Sequence, residues 1–426
     1  MSAAPAPESP ALPARSHPRN AAVVLTVSPT GLAVARSLAP RGVAVYGVDS
    51  ERREIGHYSR WFRRDPRFAY LPPGPEFVER LLEFGAEQAR PPVLFIAGDP
   101  YMDLVAEHHE ELRERFVLPE SMRPEGISKL VNKRSCYEHF ESLGIDLPAT
   151  FFPSSVEQAA AAAREIRYPA IVKPEVAHLV RRQLGGRKLV EVHDAESLVH
   201  WWRKLHEWGT DSVLQEVIVG PEANIFVGAL YVDADLEVRS LFTARKSRQY
   251  PPWFGSGSYM EACWNEEIAA LSTELVRKAG YRGVCGTEYK WDPRDEKWKL
   301  IELNPRPTLW YSLARAAGVD VLWDAYCDLL GQPNPPHIGG QDDAMRWQLL
   351  VRDLVSAWHF KRGGELSWRE FFRTVVDPRH KDYAVLSLRD PGTLLGYPLN
   401  TLWKYLAFVR GARPERPVAD PGGEVR

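Results

Sequence analysis

Short apolar runs alternate with amphipathic stretches over the first part of this chain. AAVVLTV (21–27), VAVYGVD (43–49) and PPVLFIAGD (91–99) have the length and β-branched content of buried strands. LAVARSLAPRG (32–42), which closes on Gly42, and YMDLVAEHHEELRERF (101–116) have helical spacing. This alternation predicts parallel βαβ units over residues 20–125. A different rhythm follows. KLVNKRSCYEHFESLGIDLP (129–148) reads as a helix stopped by Gly144 and Pro148, and Ser155 with Gln158 forms a capping box ahead of an Ala-rich helix to Ile166. The strands PAIVKP (169–174), KLVEV (188–192) and SVLQEVIVG (212–220) surround a polar loop (178–187) and a Trp-rich helix (195–208). Residues 224–246 predict a hairpin turning at Asp233–Asp235, then a loop over 247–264 and a helix over 265–280. GVCGTEYKW (283–291) and KWKLIELNP (297–305) predict a strand pair around the turn DPRDE, and helices follow over 308–317 and 320–331.

Punctuation divides the chain. Residues 1–20, rich in Pro, Ala and Ser, read as a disordered tail. A Rossmann-like domain spans 20–125, a larger unit spans 126–335 with subdomains 126–215 and 216–335, and QPNPPHIGGQDD (332–343) marks a boundary. Beyond it, 344–426 reads as a small, mainly helical appendage. The first turn carries only Gly31, so the G-x-G-x-x-G fingerprint of dinucleotide binding is absent, and Asp49 alone reads better as a strand-end cap.

Composition narrows the function classes. Hydrophobic residues make up 44% and charged residues 26%, ordinary for globular domains, and a net charge of −2 argues against a nucleic-acid coat. Four scattered cysteines without a CxxC pair argue against a disulfide framework or a Cys-ligated zinc site. No window approaches the roughly 18 consecutive apolar residues of a membrane span, nor does the N-terminus carry a signal-length apolar stretch. The expectation is a cytoplasmic protein.

The chemistry concentrates in polar residues inside apolar strands. Alternation puts Glu288 and Lys290 on one face of their strand, and Glu302 and Asn304 on one face of the next. Glu302 sits in the apolar run LIELNP, where a carboxylate is costly unless paired or coordinated. Two facing carboxylates and an amide oxygen are hard ligands suited to magnesium. Lys173 ends an apolar strand, Lys133 lies on a basic helix, and Gly185–Gly186 sits among Arg181, Arg182, Arg187 and Lys188. Each has an ordinary reading as an edge lysine, a solvated face or a simple turn; the functional alternative is cations and backbone N–H groups aimed at phosphate oxygens. Gln215-Glu216-Val217-Ile218-Val219-Gly220-Pro221-Glu222 leaves a strand through an apolar hinge and ends on a carboxylate.

In this order, a helix Lys, a strand-end V-K-P, a Gly-containing flap, Q-E-x-I-x-G-x-E, a Glu and E-x-N-P-R, the chain resembles the ATP-grasp superfamily, nearest to predicted carboxylate–amine ligases. The GHYSR (56–60) and KSRQYPP (246–252) patterns belong to the same resemblance. It implies an ATP-grasp fold, with two α+β subdomains clasping ATP behind an N-terminal Rossmann-like domain. It further implies that Lys133, Lys173, Gly185 and Gly186 contact the nucleotide phosphates, and that Gln215, Glu216 and the backbone of Val217 and Ile218 line adenine. Glu222 then holds ribose, and Glu288, Glu302 and Asn304 bind magnesium, two ions in the usual arrangement with manganese as an alternative. Arg306, with Lys246 and Arg248, serves the acyl phosphate. The implied reaction joins a small-molecule carboxylate to an amine through an acyl phosphate, releasing ADP and phosphate. A silent ATP-binding regulator of the same fold is the alternative. The flap departs from the pattern in having only two adjacent glycines beside bulky Arg, Gln and Leu. Segment 247–264, with Lys246, Arg248, Tyr250 and Trp253, reads either as an irregular loop or as a lid over the site. The helix at 399–411 packs into the core or, through Lys404, Arg410, Trp403, Leu406 and Phe408, meets a partner or a membrane surface.

Overall fold

The computed structural model describes residues 19–131, 133–175, 180, 183–184 and 189–411. Residues 1–18 of the tail expected over 1–20, and the Gly185–Gly186 pair with Arg181, Arg182, Arg187 and Lys188, lie outside the described residues. So do the side chains of Lys133, Lys404, Leu406, Phe408 and Arg410.

Three strands, β1 (Ala22–Leu25), β2 (Val45–Val48) and β3 (Val93–Ile96), form a parallel sheet in the order β2-β1-β3. The turn after β1 is tied by Asp49, whose carboxylate accepts from Thr26 Oγ1 and the Val27 N–H, both at 2.8 Å. Gly31 is required there, because a Cβ would meet the Thr26 carbonyl oxygen at 2.0 Å. The glycine serves close packing of helix on strand, and Asp49 is a cap. The helix expected over 101–116 breaks at His108 into Met102–Glu107 and His109–Arg113.

The next unit is a four-stranded antiparallel sheet of β4 (Thr150–Phe151), β5 (Ala170–Pro174), β6 (Val190–Val192) and β7 (Ser212–Glu216), ordered β4-β7-β5-β6. Its helix Val156–Glu165 is capped by Ser155, whose hydroxyl accepts from the Gln158 N–H. The Trp-rich helix Ala195–Glu207 buries Leu198, Trp202 and Leu205 against this sheet.

The large sheet contains β8 (Ile225–Val232), β9 (Val238–Tyr250), β10 (Ser256–Ala262), β11 (Gly283–Asp292) and β12 (Lys297–Asn304). It continues through β13 (His337–Ile338), β14 (Arg346–Gln348) and β15 (Lys381–Tyr383), in the order β12-β11-β8-β9-β10-β14-β15 with β13 beside β9. Two expectations change here. Segment 247–264 is largely strand, because β9 and β10 pair from Tyr250–Ser256 to Ala244–Ala262 and only a short tip remains. Its polar side chains find partners across the sheet, so polarity did not signal an unpaired backbone. The C-terminal residues carry the helices Leu350–Arg362, Trp368–Phe371 and Pro391–Gly411, and they also join the large sheet. They add β14 and β15 to the edge of the large sheet, and β13 makes the expected boundary segment part of it.

The chain then returns to its beginning. The guanidinium of Arg36, on the helix after β1, is buried against Asp390 at 3.1 Å and donates to the carbonyls of Ala384 and Val385. Asp390 also accepts from Ser59 Oγ at 2.7 Å and the Arg60 N–H at 3.0 Å. A Cβ at Gly392 or Gly396 would collide with Tyr58. GHYSR is therefore a clasp for the helix Pro391–Gly411. One apolar core runs from β1 through the large sheet to Trp347, Leu349 and Tyr397. Among the described residues, no helix is long and apolar enough to cross a membrane.

Where the small sheet meets the large one, six charges close into a neutral cluster. Lys299 Nζ lies 2.7 Å from Glu216, 2.9 Å from Asp292 and 2.6 Å from Asp295. Arg167 pairs with Glu216 at 3.0 Å and Asp295 at 2.6 Å, and Arg294 with Asp292 at 2.9 Å. Burial alone would raise the Glu216 and Asp292 carboxyls, but hydrogen bonds from Lys299 and Arg294 outweigh it and hold both below the usual carboxylate range. Asp295 is held down by its hydrogen bonds from Arg167 and Lys299. Replacing Lys299 by Met leaves Glu216 to Arg167 and Asp292 to Arg294, with one negative charge of the cluster uncompensated. Urea unfolding is expected to show a loss of about 3–5 kcal/mol.

Candidate active site

The register of β11 and β12 decides the site. Glu288 stands directly opposite Glu302, and Gly286 opposite Asn304. Glu288, Glu302 and Asn304 thus share one face of a strand pair, as alternation requires. The expectation that Glu302 is buried among apolar neighbours is corrected: it is exposed, while Leu300 and Leu303 beside it turn into the core. A register break between Glu288 and Tyr289 opposes Tyr289 to Leu300, so Ile301 is passed over. The Ile301 carbonyl accepts from the Tyr137 hydroxyl at 3.1 Å, which ties the helix Lys133–Ser142 to β12.

Cations converge from three sides. Lys246, buried on β9, donates from Nζ to Glu288 Oε1 at 2.8 Å. Lys290 lies two residues along β11, and its ammonium is pushed down by burial against the opposing pull of Glu222. Alternation already puts Lys290 on the face of Glu288, but the spacing alone assigns it no role in the site. Arg306, just past β12, makes a bidentate pair with Asp99 at 2.5 and 2.8 Å. Asp99 follows β3, so this pair ties the first sheet to the segment just past β12. Lys173 is half-buried on β5, level with Val213 of β7.

The hinge residues take roles that the motif did not convey. Gln215 Nε2 donates to Tyr137 and Thr150 hydroxyls, each at 2.8 Å, and braces β7 against the neighbouring helix and strand. The Glu216 carboxylate belongs to the six-charge cluster. The Val217 N–H donates to the Pro169 carbonyl at 2.9 Å, and its carbonyl accepts from Arg294 at 3.1 Å. That donor is committed within the protein, and the carbonyl keeps one lone pair. Ile218 is buried.

Glu222 and Arg248 also depart from their expected surroundings. The Glu222 carboxylate is buried and accepts from the Gln249 N–H at 2.9 Å and from the Trp253 N–H. It latches the tip between β9 and β10. Burial pushes its carboxyl up to about 6 despite those two donors and Lys246. Arg248 does not join the cleft: its guanidinium is buried in a bidentate pair with Asp353, 2.8 Å on each arm, and stacks over Tyr259. It holds the helix Leu350–Arg362 to the sheet. Trp253 reaches that helix too, edge-on to His359 at 4.9 Å.

No group of three His, Cys, Asp or Glu side chains suited to a metal occurs among the described residues. A divalent ion here would rest on two carboxylates and the Asn304 amide, with remaining positions filled by water or phosphate oxygens. This donor set fits magnesium, which is commonly held by one or two carboxylates and keeps several waters. The Lys246 ammonium at Glu288 marks where positive charge is already favoured.

No family profile matches the chain. In sequence it is similar to D-aspartate ligase of Enterococcus faecium (strain Aus0004), 27% identical over 247 residues. The match takes in 54% of this chain and 58% of that ligase, so the chain spans little more than half its relative's length. In structure it is similar to the biotin carboxylase domain of the Hydrogenobacter thermophilus 2-oxoglutarate carboxylase, solved with MgADP, ADP and bicarbonate. The TM-score is 0.57 at 17% identity, covering 77% of this chain and 73% of that one. N5-carboxyaminoimidazole synthetase from Staphylococcus aureus gives a TM-score of 0.58 at 13% identity, covering 82% and 88%. These likenesses show the fold.

Glu222 carries a signed pH dependence. Its folded pKa of about 6 lies above the ordinary 4.5, so its contribution is complete below pH 4.5 and is lost as pH rises through 6. From pH 4.5 to 7 that loss is about 2 kcal/mol. Urea unfolding of wild type and Glu222→Gln across this range is expected to differ by that increment, and parallel curves would refute the assignment.

Proposed function

We propose that this chain, which has the ATP-grasp fold and resembles ATP-grasp carboxylate–amine ligases, is itself an ATP-dependent ligase. It joins a carboxylate to an amine, with ADP and phosphate as products. The observation that carries this reading is the register that sets Glu288 against Glu302 with Asn304 on the same face, Lys246 on Glu288 and Arg306 beyond. Similarity to a D-aspartate ligase supports an amino acid among the substrates.

In this reading the substrate carboxylate attacks the γ-phosphorus of ATP, breaking the bond to ADP and giving an acyl phosphate. The amine then attacks the acyl carbon, phosphate leaves, and the amine gives up its proton. Such transfers need positioning and charge neutralisation more than covalent help from the protein. Lys133, Lys173 and the backbone of Gly185 and Gly186 hold the phosphates. Glu288, Glu302 and Asn304 hold magnesium, which neutralises phosphate charge when bound. Arg306 presents two parallel N–H donors to the acyl phosphate or to the oxyanion formed on amine addition, a geometry that its pairing with Asp99 already displays. Lys246 adds charge beside Glu288; Arg248 leaves this set for a structural role.

Adenine recognition falls to the hinge main chain and the wall at Ile218, while Glu216 keeps the hinge in place. Glu222 serves ribose only if it yields its hold on Gln249 and Trp253, so nucleotide binding and the β9–β10 tip compete for one carboxylate.

A coupled ADP-release screen with magnesium over amino acids and amines is expected to yield an active pair. Glu302→Gln should then lower turnover by about 100-fold or more, consistent with several kcal/mol of metal-borne charge stabilisation. Because Glu302 is exposed, its unfolding midpoint should stay at the wild-type value. Wild-type turnover by this variant would remove Glu302 from the metal set.

A further inference from the structure

The helix Leu350–Arg362 is apolar on two sides. One side, with Ala357 and Phe360, is buried. The other carries Leu354, Val355 and Trp358 into solvent. Trp358 is 50% exposed and meets Trp368, 54% exposed, with ring centroids 6.4 Å apart. Trp368 stacks on Phe372, 57% exposed, and Val376 continues the exposed row one turn on. An amphipathic helix needs one apolar stripe to pack, so the second is unaccounted for by folding.

The charge around this row is one-sided. Residues 350–381 hold seven Lys and Arg but four Asp and Glu, in a chain whose net charge is −2. Asp353 is paired with Arg248 from outside this stretch and Asp377 with Arg379 inside it, so Glu365 and Glu370 face the remaining six cations. Arg352, Arg362, Arg369 and Arg373 are exposed, and Lys361 lies over the Trp368 ring at 4.8 Å. Two copies meeting through this face would set arginines against arginines. An anionic lipid surface satisfies both features, because indole rings settle at the headgroup level and cations are drawn to acidic lipids.

We propose that the face formed by Leu354, Val355, Trp358, Trp368, Phe372 and Val376 docks on an anionic membrane surface without crossing it. The surface lies beside the β9–β10 tip, since Trp253 touches His359 and Phe360 of the same helix while its N–H donates to Glu222. Docking therefore places the β9–β10 tip near the lipid headgroups.

Co-sedimentation of the full chain with vesicles tests this. With 30% phosphatidylglycerol in phosphatidylcholine at low salt, the protein is expected to pellet. With phosphatidylcholine alone, or in 0.5 M NaCl, it should stay in the supernatant. Trp368→Ser with Phe372→Ser should weaken binding at least tenfold. Arg369→Gln and Arg373→Gln should each cost about fivefold on anionic vesicles, at an unchanged unfolding midpoint. No pelleting with anionic vesicles overturns the proposal, as does undiminished binding by the Trp368/Phe372 variant. A dimer dissociated by that variant in analytical ultracentrifugation would assign the face to a second copy instead.

Discussion

The neutral cluster of Glu216, Asp292, Asp295, Arg167, Arg294 and Lys299 is the constraint from which the cleft takes its shape. It joins the end of β7 to the turn between β11 and β12, so the sheet carrying Lys173 is held against the sheet carrying Glu288 and Glu302. Taking so much charge out of water is costly, and the cost is offset only because every buried carboxylate has at least two partners. Through Arg294 the same cluster fixes the Val217 carbonyl, and with it the course of the hinge. A simple apolar contact would hold the sheets together but would not fix the hinge so directionally.

A second set of ion pairs does for the periphery what the cluster does for the hinge. Arg248–Asp353 fastens the helix Leu350–Arg362 to β9, and Arg36–Asp390 fastens the end of the chain to the helix after β1. The C-terminal residues are therefore part of the large sheet and its core. Glu222 links this periphery to the cleft, because its carboxylate holds the tip whose Trp253 rests on the helix Leu350–Arg362.

Much of the strand pattern was legible because apolar runs and alternation report burial directly. The hairpin of β8 and β9 turns at Asp233, whose carboxylate caps the turn, and the pairing of Glu288 with Glu302 follows from two strands around DPRDE. Segment 247–264 reads as a loop because its polar residues suggest solvent exposure, whereas Ser247 bonds Glu261 across the hairpin. Arg248 carried the right chemistry for the wrong address: nothing local distinguishes a guanidinium facing a phosphate from one facing Asp353, 105 residues away. Alternation places Lys290 beside Glu288 but does not reveal its interaction with Glu222, which depends on a contact across the fold.

By itself the amino-acid order determined the repertoire. It set which strands form, which residues share a strand face, and the succession of lysine, hinge, carboxylate and arginine that resembles the ATP-grasp pattern. Periodicity and spacing are local, so they survive in one dimension. Only the tertiary structure decided which charge meets which: Glu216 with Lys299, Glu222 with the Trp253 N–H, Arg306 with Asp99, and GHYSR with the last helix. Those pairings depend on distances across the fold. Coulombic attraction and hydrogen bonding act over a few ångströms regardless of sequence separation, and no local pattern encodes them.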